Sequence, residues 1–128
     1  MPKYYHDHVH LLSPDPMKTA RFYEEMFGAR RVSVRELDGG GYFIELDLGG
    51  SRLLVMNPPA GAAFDAGETN HGLGHFGIRT DNLAATVAKL KANGVRFKEE
   101  MRAAGPGVKI AFIWAPENVL IELLEKKG

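Results

Sequence analysis

His8-Val-His-Leu-Leu-Ser-Pro-Asp15 leads into Pro16-Met-Lys-Thr-Ala-Arg-Phe-Tyr-Glu-Glu-Met-Phe-Gly28. Further on, His75-Phe-Gly-Ile-Arg-Thr-Asp81 leads into Asn82-Leu-Ala-Ala-Thr-Val-Ala-Lys-Leu-Lys-Ala-Asn-Gly94. The two stretches follow one plan: a short alternating strand, an aspartate, about three turns of helix and a closing glycine. Asp15 suits an N-cap, and Pro16 suits the first helical position, where no amide donor is needed. Met17, Ala20, Tyr23 and Phe27 recur at intervals of three or four and form one apolar stripe. Gly28 is free to take the left-handed conformation that ends a helix. In the second copy Leu83, Val87 and Leu90 make the stripe, and Asn93-Gly94 is the stop.

Each helix is followed by three strand-like segments. The first set covers 30–37, 41–48 and 51–57, with hairpin signals at Asp38-Gly-Gly-Gly41 and Gly49-Gly50. The second covers 95–101, 108–115 and 118–125, with turns at Ala104-Gly-Pro-Gly107 and Pro116-Glu-Asn118. The order is therefore βαβββ twice, an α+β pattern. It predicts one domain over 1–128, with modules at 5–57 and 73–125 and a proline- and glycine-rich linker at 58–72.

The composition narrows the function classes. A chain of 128 residues accommodates one ordinary domain. Lysine plus arginine number 16, as do aspartate plus glutamate, so no net field draws the chain to nucleic acid or anionic lipid. The chain has no cysteine, which removes disulfides, thiolate nucleophiles and iron–sulfur clusters. The longest apolar run, Ile110 to Ala115, is too short to span a bilayer, and the first ten residues contain no apolar signal core. The expectation is a cytoplasmic protein with no nucleic-acid or membrane partner.

Strand alternation places His8 and His10 on the face opposite Val9 and Leu11. Likewise His75 lies opposite the pair Phe76 and Ile78, and Glu122 lies opposite Ile121 and Leu123. A carboxylate flanked by Leu120 and Leu124 is costly unless it is paired, protonated or bound to a metal. Two neutral imidazoles and one carboxylate on the face away from the helices suit a divalent metal. His8 and His75 occupy the same place in the two copies. A lone strand histidine is commonly a hydrogen-bonded half-buried residue, and the repeat is what raises the ligand reading above that.

These residues resemble the vicinal oxygen chelate superfamily, which includes glyoxalase I, methylmalonyl-CoA epimerase, extradiol dioxygenases, fosfomycin-resistance enzymes and bleomycin-resistance proteins. The resemblance rests on Asp7-His-Val-His-Leu-Leu-Ser-Pro-Asp15, Phe22-Tyr-Glu-Glu-Met-Phe-Gly28, Gly74-His-Phe-Gly-Ile78 and Pro116-Glu-Asn-Val-Leu-Ile-Glu-Leu-Leu124. It implies two modules forming a cupped, incompletely closed mixed sheet with helices on the convex side. It also implies metal ligands at His8, His75 and Glu122, with Glu122 serving the chemistry as well. The fourth family position departs from the pattern. Aligning the repeats puts Leu54 where Glu122 stands, and leucine cannot ligate a metal.

A set of two histidines and one carboxylate leaves positions open and is common among non-haem Fe(II) enzymes. The expected cofactor is one divalent metal per chain, Fe(II) favoured over Mn, Zn, Ni or Co. The expected substrate is an oxygen-bearing small molecule, with His10, Arg52, Leu54 and Met56 lining its site. Oxygenation is slightly favoured over lyase or isomerase chemistry, because proton transfer benefits from an acid/base group where Leu54 stands. The rival reading is a non-catalytic protein that sequesters a drug or metabolite, as bleomycin-resistance proteins do. A homodimer is expected, because a four-stranded module leaves an edge and a face to cover.

Overall fold

In a computed structural model, residues 3, 6–62, 71 and 73–127 are described, so most of the expected linker lies outside the described residues. The chain divides into two compact units, Met1–Ala62 and Ala63–Gly128. The first unit contains β1 (His8–Leu12), α1 (Pro16–Phe27), β2 (Arg30–Glu36), β3 (Tyr42–Leu48) and β4 (Ser51–Met56). The second contains β5 (Phe76–Arg79), α2 (Leu83–Ala92), β6 (Phe97–Ala103), β7 (Val108–Ala115) and β8 (Val119–Lys126). Each is one βαβββ module, as the repeated plan requires. No described helix is long and apolar enough to cross a membrane.

The two open sheets have the same topology, β1-β4-β3-β2 and β5-β8-β7-β6. In each, the first strand pairs in parallel with the last, while the other pairs are antiparallel. A parallel pair needs a long crossover, and the helix and two strands between provide it. The helices fold onto the strand faces that carry the apolar alternates. In the first unit Leu11, Ile44, Leu46, Leu53 and Val55 are buried together with Ala20 and Tyr23 of α1. In the second, Ala111, Ile113, Ile121 and Leu123 are buried together with Leu83 and Leu90 of α2. Burial pushes the Tyr23 phenol well above its ordinary range and keeps it neutral.

The helix ends follow local chemistry. Asp15 Oδ1 accepts from the Lys18 amide, and Gly28, at φ 70°, donates its amide to the Glu24 carbonyl. In the second module the cap is Asn82, whose Oδ1 accepts from the Ala85 amide. It stands one residue beyond Asp81, the counterpart of Asp15 in the repeat. Val87 is only half-buried, so Leu83 and Leu90 carry that helix's packing. β6 begins at Phe97 rather than 95, because the Val95 amide is taken by the Leu90 carbonyl in closing α2.

The β7–β8 turn holds two consecutive non-glycine residues in the left-handed region, Glu117 at φ 63° and Asn118 at φ 52°. Asn118 has a local role, since its Oδ1 accepts from Arg96 Nη2 at 3.0 Å. Glu117 makes no hydrogen bond among the described residues that would offset its conformation. Glu117→Gly is therefore expected to stabilise the protein by up to about 1 kcal/mol, read as a rise in the urea midpoint at unchanged slope.

Candidate metal and substrate site

The strand register places the open-face residues of the first sheet in rows. One row is His8, Arg52, Asp47 and Arg30, and the next is His10, Leu54 and Glu45. A third joins Leu12, Met56 and Phe43. All lie on the face opposite the buried Leu11, Ile44, Leu46, Leu53 and Val55. His8 Nδ1–H donates to Asp7 Oδ2 at 2.7 Å. A carboxylate only accepts, so this bond puts the proton on Nδ1 and leaves the Nε2 lone pair for another partner. His10 stacks edge-on against Phe43, ring centroids 6.0 Å apart, and lies 6.2 Å from the His8 ring.

Arg52 is unusual in this group. Its Nε stands 3.5 Å from Glu45 Oε2 and its Nη1 4.0 Å from Asp47 Oδ2, and neither contact is a hydrogen bond. Nη1 is closed off from water and has no acceptor. Leaving such a donor unpaired costs about 1–3 kcal/mol. Asp47 is engaged elsewhere. The Gly50 amide, and then Arg52 and Arg30, hold its carboxyl below the usual carboxylate range. The Gly50 bond is 2.9 Å and the Arg30 contact 3.4 Å.

In the second unit His75 stands just before β5, and Glu122 lies in β8 as the partner of Gly77. His75 Nε2 is 3.6 Å from Glu122 Oε1, beyond hydrogen-bond length. Phe112, the cross-strand partner of Glu122, meets the His75 ring edge-on at 5.1 Å. Gly77 makes room for the carboxylate and its neighbour. A Cβ there would stand 3.0 Å from Leu124 Cδ1 and 4.0 Å from Glu122 Oε1. Trp114 shares this face as the partner of Leu120.

The registers also settle which residues correspond. Glu122 faces Gly77, two residues after His75, and Leu54 faces His10, two residues after His8. Leu54 is thus the counterpart of Glu122, and Glu45 is the counterpart of Phe112. The first sheet carries its carboxylate one strand further from the histidine.

An imidazole nitrogen and a carboxylate oxygen 3.6 Å apart fit two donors of one divalent ion. Bonds of about 2.1 Å in tetrahedral array would set neighbouring donors about 3.4 Å apart. His8, whose Nδ1 is taken by Asp7 so that the Nε2 lone pair is left to bind, is a third donor of suitable type. Among the described residues, no group of three or more His, Asp or Glu side chains gathers closely enough to hold a metal ion. His71 is exposed and outside any helix or strand. Asp7, Glu45 and Asp47 are the site-face residues the sequence reading did not single out. Alternation in Ile44-Glu-Leu-Asp47 and the adjacency of Asp7 to His8 were the available signals.

Comparison with known proteins agrees with the fold. The model of the glyoxalase/bleomycin resistance protein/dioxygenase superfamily matches residues 6–123, and the chain belongs to that superfamily. It is 31% identical over 123 residues to a probable chloroplastic lactoylglutathione lyase of Arabidopsis thaliana, covering 93% of this chain and 35% of that protein. It is 28% identical over 125 residues to the human mitochondrial methylmalonyl-CoA epimerase, covering 91% of this chain and 71% of that one. The chain thus spans about a third of the length of the plant lyase it matches. A variant of the FosX fosfomycin resistance protein of Listeria monocytogenes was solved with Mn(II) and 1S,2S-dihydroxypropylphosphonic acid. It superposes with TM-score 0.77 at 19% identity, covering 99% of this chain and 95% of that one, a likeness of fold.

Proposed function

We propose that the protein is a metal-dependent enzyme acting on an oxygen-bearing small molecule, with His8, His75 and Glu122 holding one divalent ion per chain. The observation that carries this reading is the His75–Glu122 pair, two donors 3.6 Å apart on one open face. Of these three residues His8 comes from the first module, and His75 and Glu122 come from the second. When bound, the metal supplies a Lewis acid that polarises and orients a substrate through adjacent oxygens. Asp7 holds His8 in the tautomer that presents Nε2. Phe112 limits the rotation of the His75 ring, and the missing Cβ at Gly77 keeps space beside Glu122. Leu54 and Met56 form an apolar wall, while His10 and Arg52 offer polar contacts to the substrate. Fe(II) suits two imidazoles and one carboxylate best, and Mn(II) is supported by the FosX likeness.

Oxygenation is the favoured reaction, because Leu54 removes a protein donor and a carboxylate base from the first module. Proton transfer is the second reading, favoured by the two relatives named as a lyase and an epimerase. Incubating the loaded protein with a panel of catechols and 2-hydroxy or 2-oxo acids separates them. Oxygen uptake supports the first, and deuterium exchange from solvent without oxygen uptake supports the second.

Among the described residues β1 and β2 are the edge strands of the first sheet and β5 and β6 those of the second, and Leu12, Val32 and Val34 of the first are exposed. A homodimer would cover such surface. Light scattering is expected to give about 28 kDa, twice the 14.1 kDa of one chain. A mass near that of one chain at micromolar concentration contradicts the dimer.

A further inference from the structure

We infer that Trp114 selects the substrate: a ring-sized apolar body lies along the second sheet, and an oxygen acceptor at its far end takes the indole N–H. The inference rests on the proposed function in placing the reacting oxygens at His75 and Glu122. Trp114 is the cross-strand partner of Leu120, and His75, one residue before the Phe76–Ile121 pair, stands level with Leu120 on the parallel strand. His75, Leu120 and Trp114 thus form one row on the open face. Leu120 is 2% exposed and makes the floor between the other two. The next row brings Phe112, edge-on to His75, and Leu124 follows one row further. Phe112, Trp114 and Leu124 are all half-buried. The Trp114 indole N–H donates to no group among the described residues, and it is not closed off from solvent. Such an indole offers apolar surface and one directed donor together.

The two modules differ at this row. In the first, the equivalent residues are His8, Arg52 and Asp47, a charged set. Asp47 takes the Gly50 amide, and Arg52 lies beside Glu45 and Asp47, so the charges there answer one another within the protein. In the second, Leu120 and Trp114 stand in the places of Arg52 and Asp47, and an apolar body lies there without stranding a charge. The charged groups beside this row have partners: Arg96 donates to Asn118 Oδ1, and Arg102 donates to Glu99. Neighbouring strands stand about 4.8 Å apart, which sets His75 and Trp114 about 10 Å apart across Leu120. A single ring with vicinal oxygens at one end and an acceptor at the other matches that span.

Trp114 is the only tryptophan of the chain, so its indole 15N–1H resonance reports on this one donor. The test titrates the full-length protein, metal-free and zinc-loaded, with 3,4-dihydroxyacetophenone and with 4-ethylcatechol, which lacks the acceptor. The first probe is expected to shift the indole resonance saturably in both forms and to bind the metal-free protein about fivefold tighter than the second, the worth of one hydrogen bond. Trp114→Phe keeps an aromatic surface and removes the donor. It should weaken the first probe about fivefold and the second less than twofold, read by calorimetry, whereas a merely structural role would weaken both alike. No saturable indole shift, equal affinity for the two probes, or equal loss of both in Trp114→Phe each overturns the inference. If Trp114→Phe fails to fold, the wild-type indole shift and the ratio of the two affinities decide. Zinc that leaves both affinities unchanged while the ratio holds counts against the metal site alone, and zinc that raises both while the ratio is one counts against Trp114 alone.

Discussion

Glu122→Ala, His75→Ala and His8→Ala are each expected to lower divalent-metal affinity by more than about a hundredfold. Groups that merely orient a ligand are already worth roughly 10–100-fold, and these three are the ligands themselves. The fold should survive all three changes, because none of the side chains belongs to the cores built on Ile44, Leu46, Ile113, Ile121 and Leu123. Asp7→Asn should weaken binding by only about tenfold, through looser control of the His8 tautomer. Calorimetric titration with Mn(II) and far-ultraviolet circular dichroism measure the two sides of this expectation. Removal of Glu122 without effect on affinity would falsify the assignment.

Leu54→Glu is expected to have opposite consequences in the two states of the protein. Leu54 faces His10 and Glu45 across its neighbouring strands, at the position Glu122 fills in the second module. Without metal the new carboxylate adds to Glu45 on a face already rich in charge, at a cost of about 1–3 kcal/mol. With metal the carboxylate gains a cation to bind, and ligation offsets the cost in proportion to metal affinity. The variant should therefore melt well below wild type when metal-free and close to it when loaded. With Fe(II), wild type should take up nitric oxide or a catecholate with a spectral change, and Leu54→Glu should blunt it. Equal destabilisation of both forms, with unchanged probe binding, places Leu54 away from the metal.

Much of the fold was legible because each boundary has a local cause. Asp15-Pro16 starts a helix, Gly28 stops it, and paired glycines at 49 and 50 turn a hairpin, all without distant contacts. The same pattern recurs sixty-odd residues on, so its register could be carried across. The reading slipped where local signals compete. Asn82 and Asp81 are both good caps, and Val95 is a good strand residue that instead closes α2 through its amide.

At the site, alternation along single strands was enough to put His8, His10 and Glu122 on the open faces, and aligning the repeats matched Leu54 with Glu122. The charged network of Arg30, Asp47, Arg52 and Glu45 was not legible. It depends on which residue of β3 faces which residue of β4, and that register is set across the sheet. The lack of a hydrogen-bond acceptor for Arg52 Nη1 was further out of reach, because Asp47 is engaged with Gly50 and Arg30.

The central claim is one divalent ion per chain bound by two imidazoles and one carboxylate. The most direct measurement is pulsed electron paramagnetic resonance of Mn(II)-loaded protein labelled with 15N in histidine, together with metal analysis of the same sample. The account predicts one manganese per chain and couplings to two imidazole nitrogens, reduced to one in either His8→Ala or His75→Ala. Manganese well below one per chain, or nitrogen couplings that persist unchanged in both variants, would contradict it.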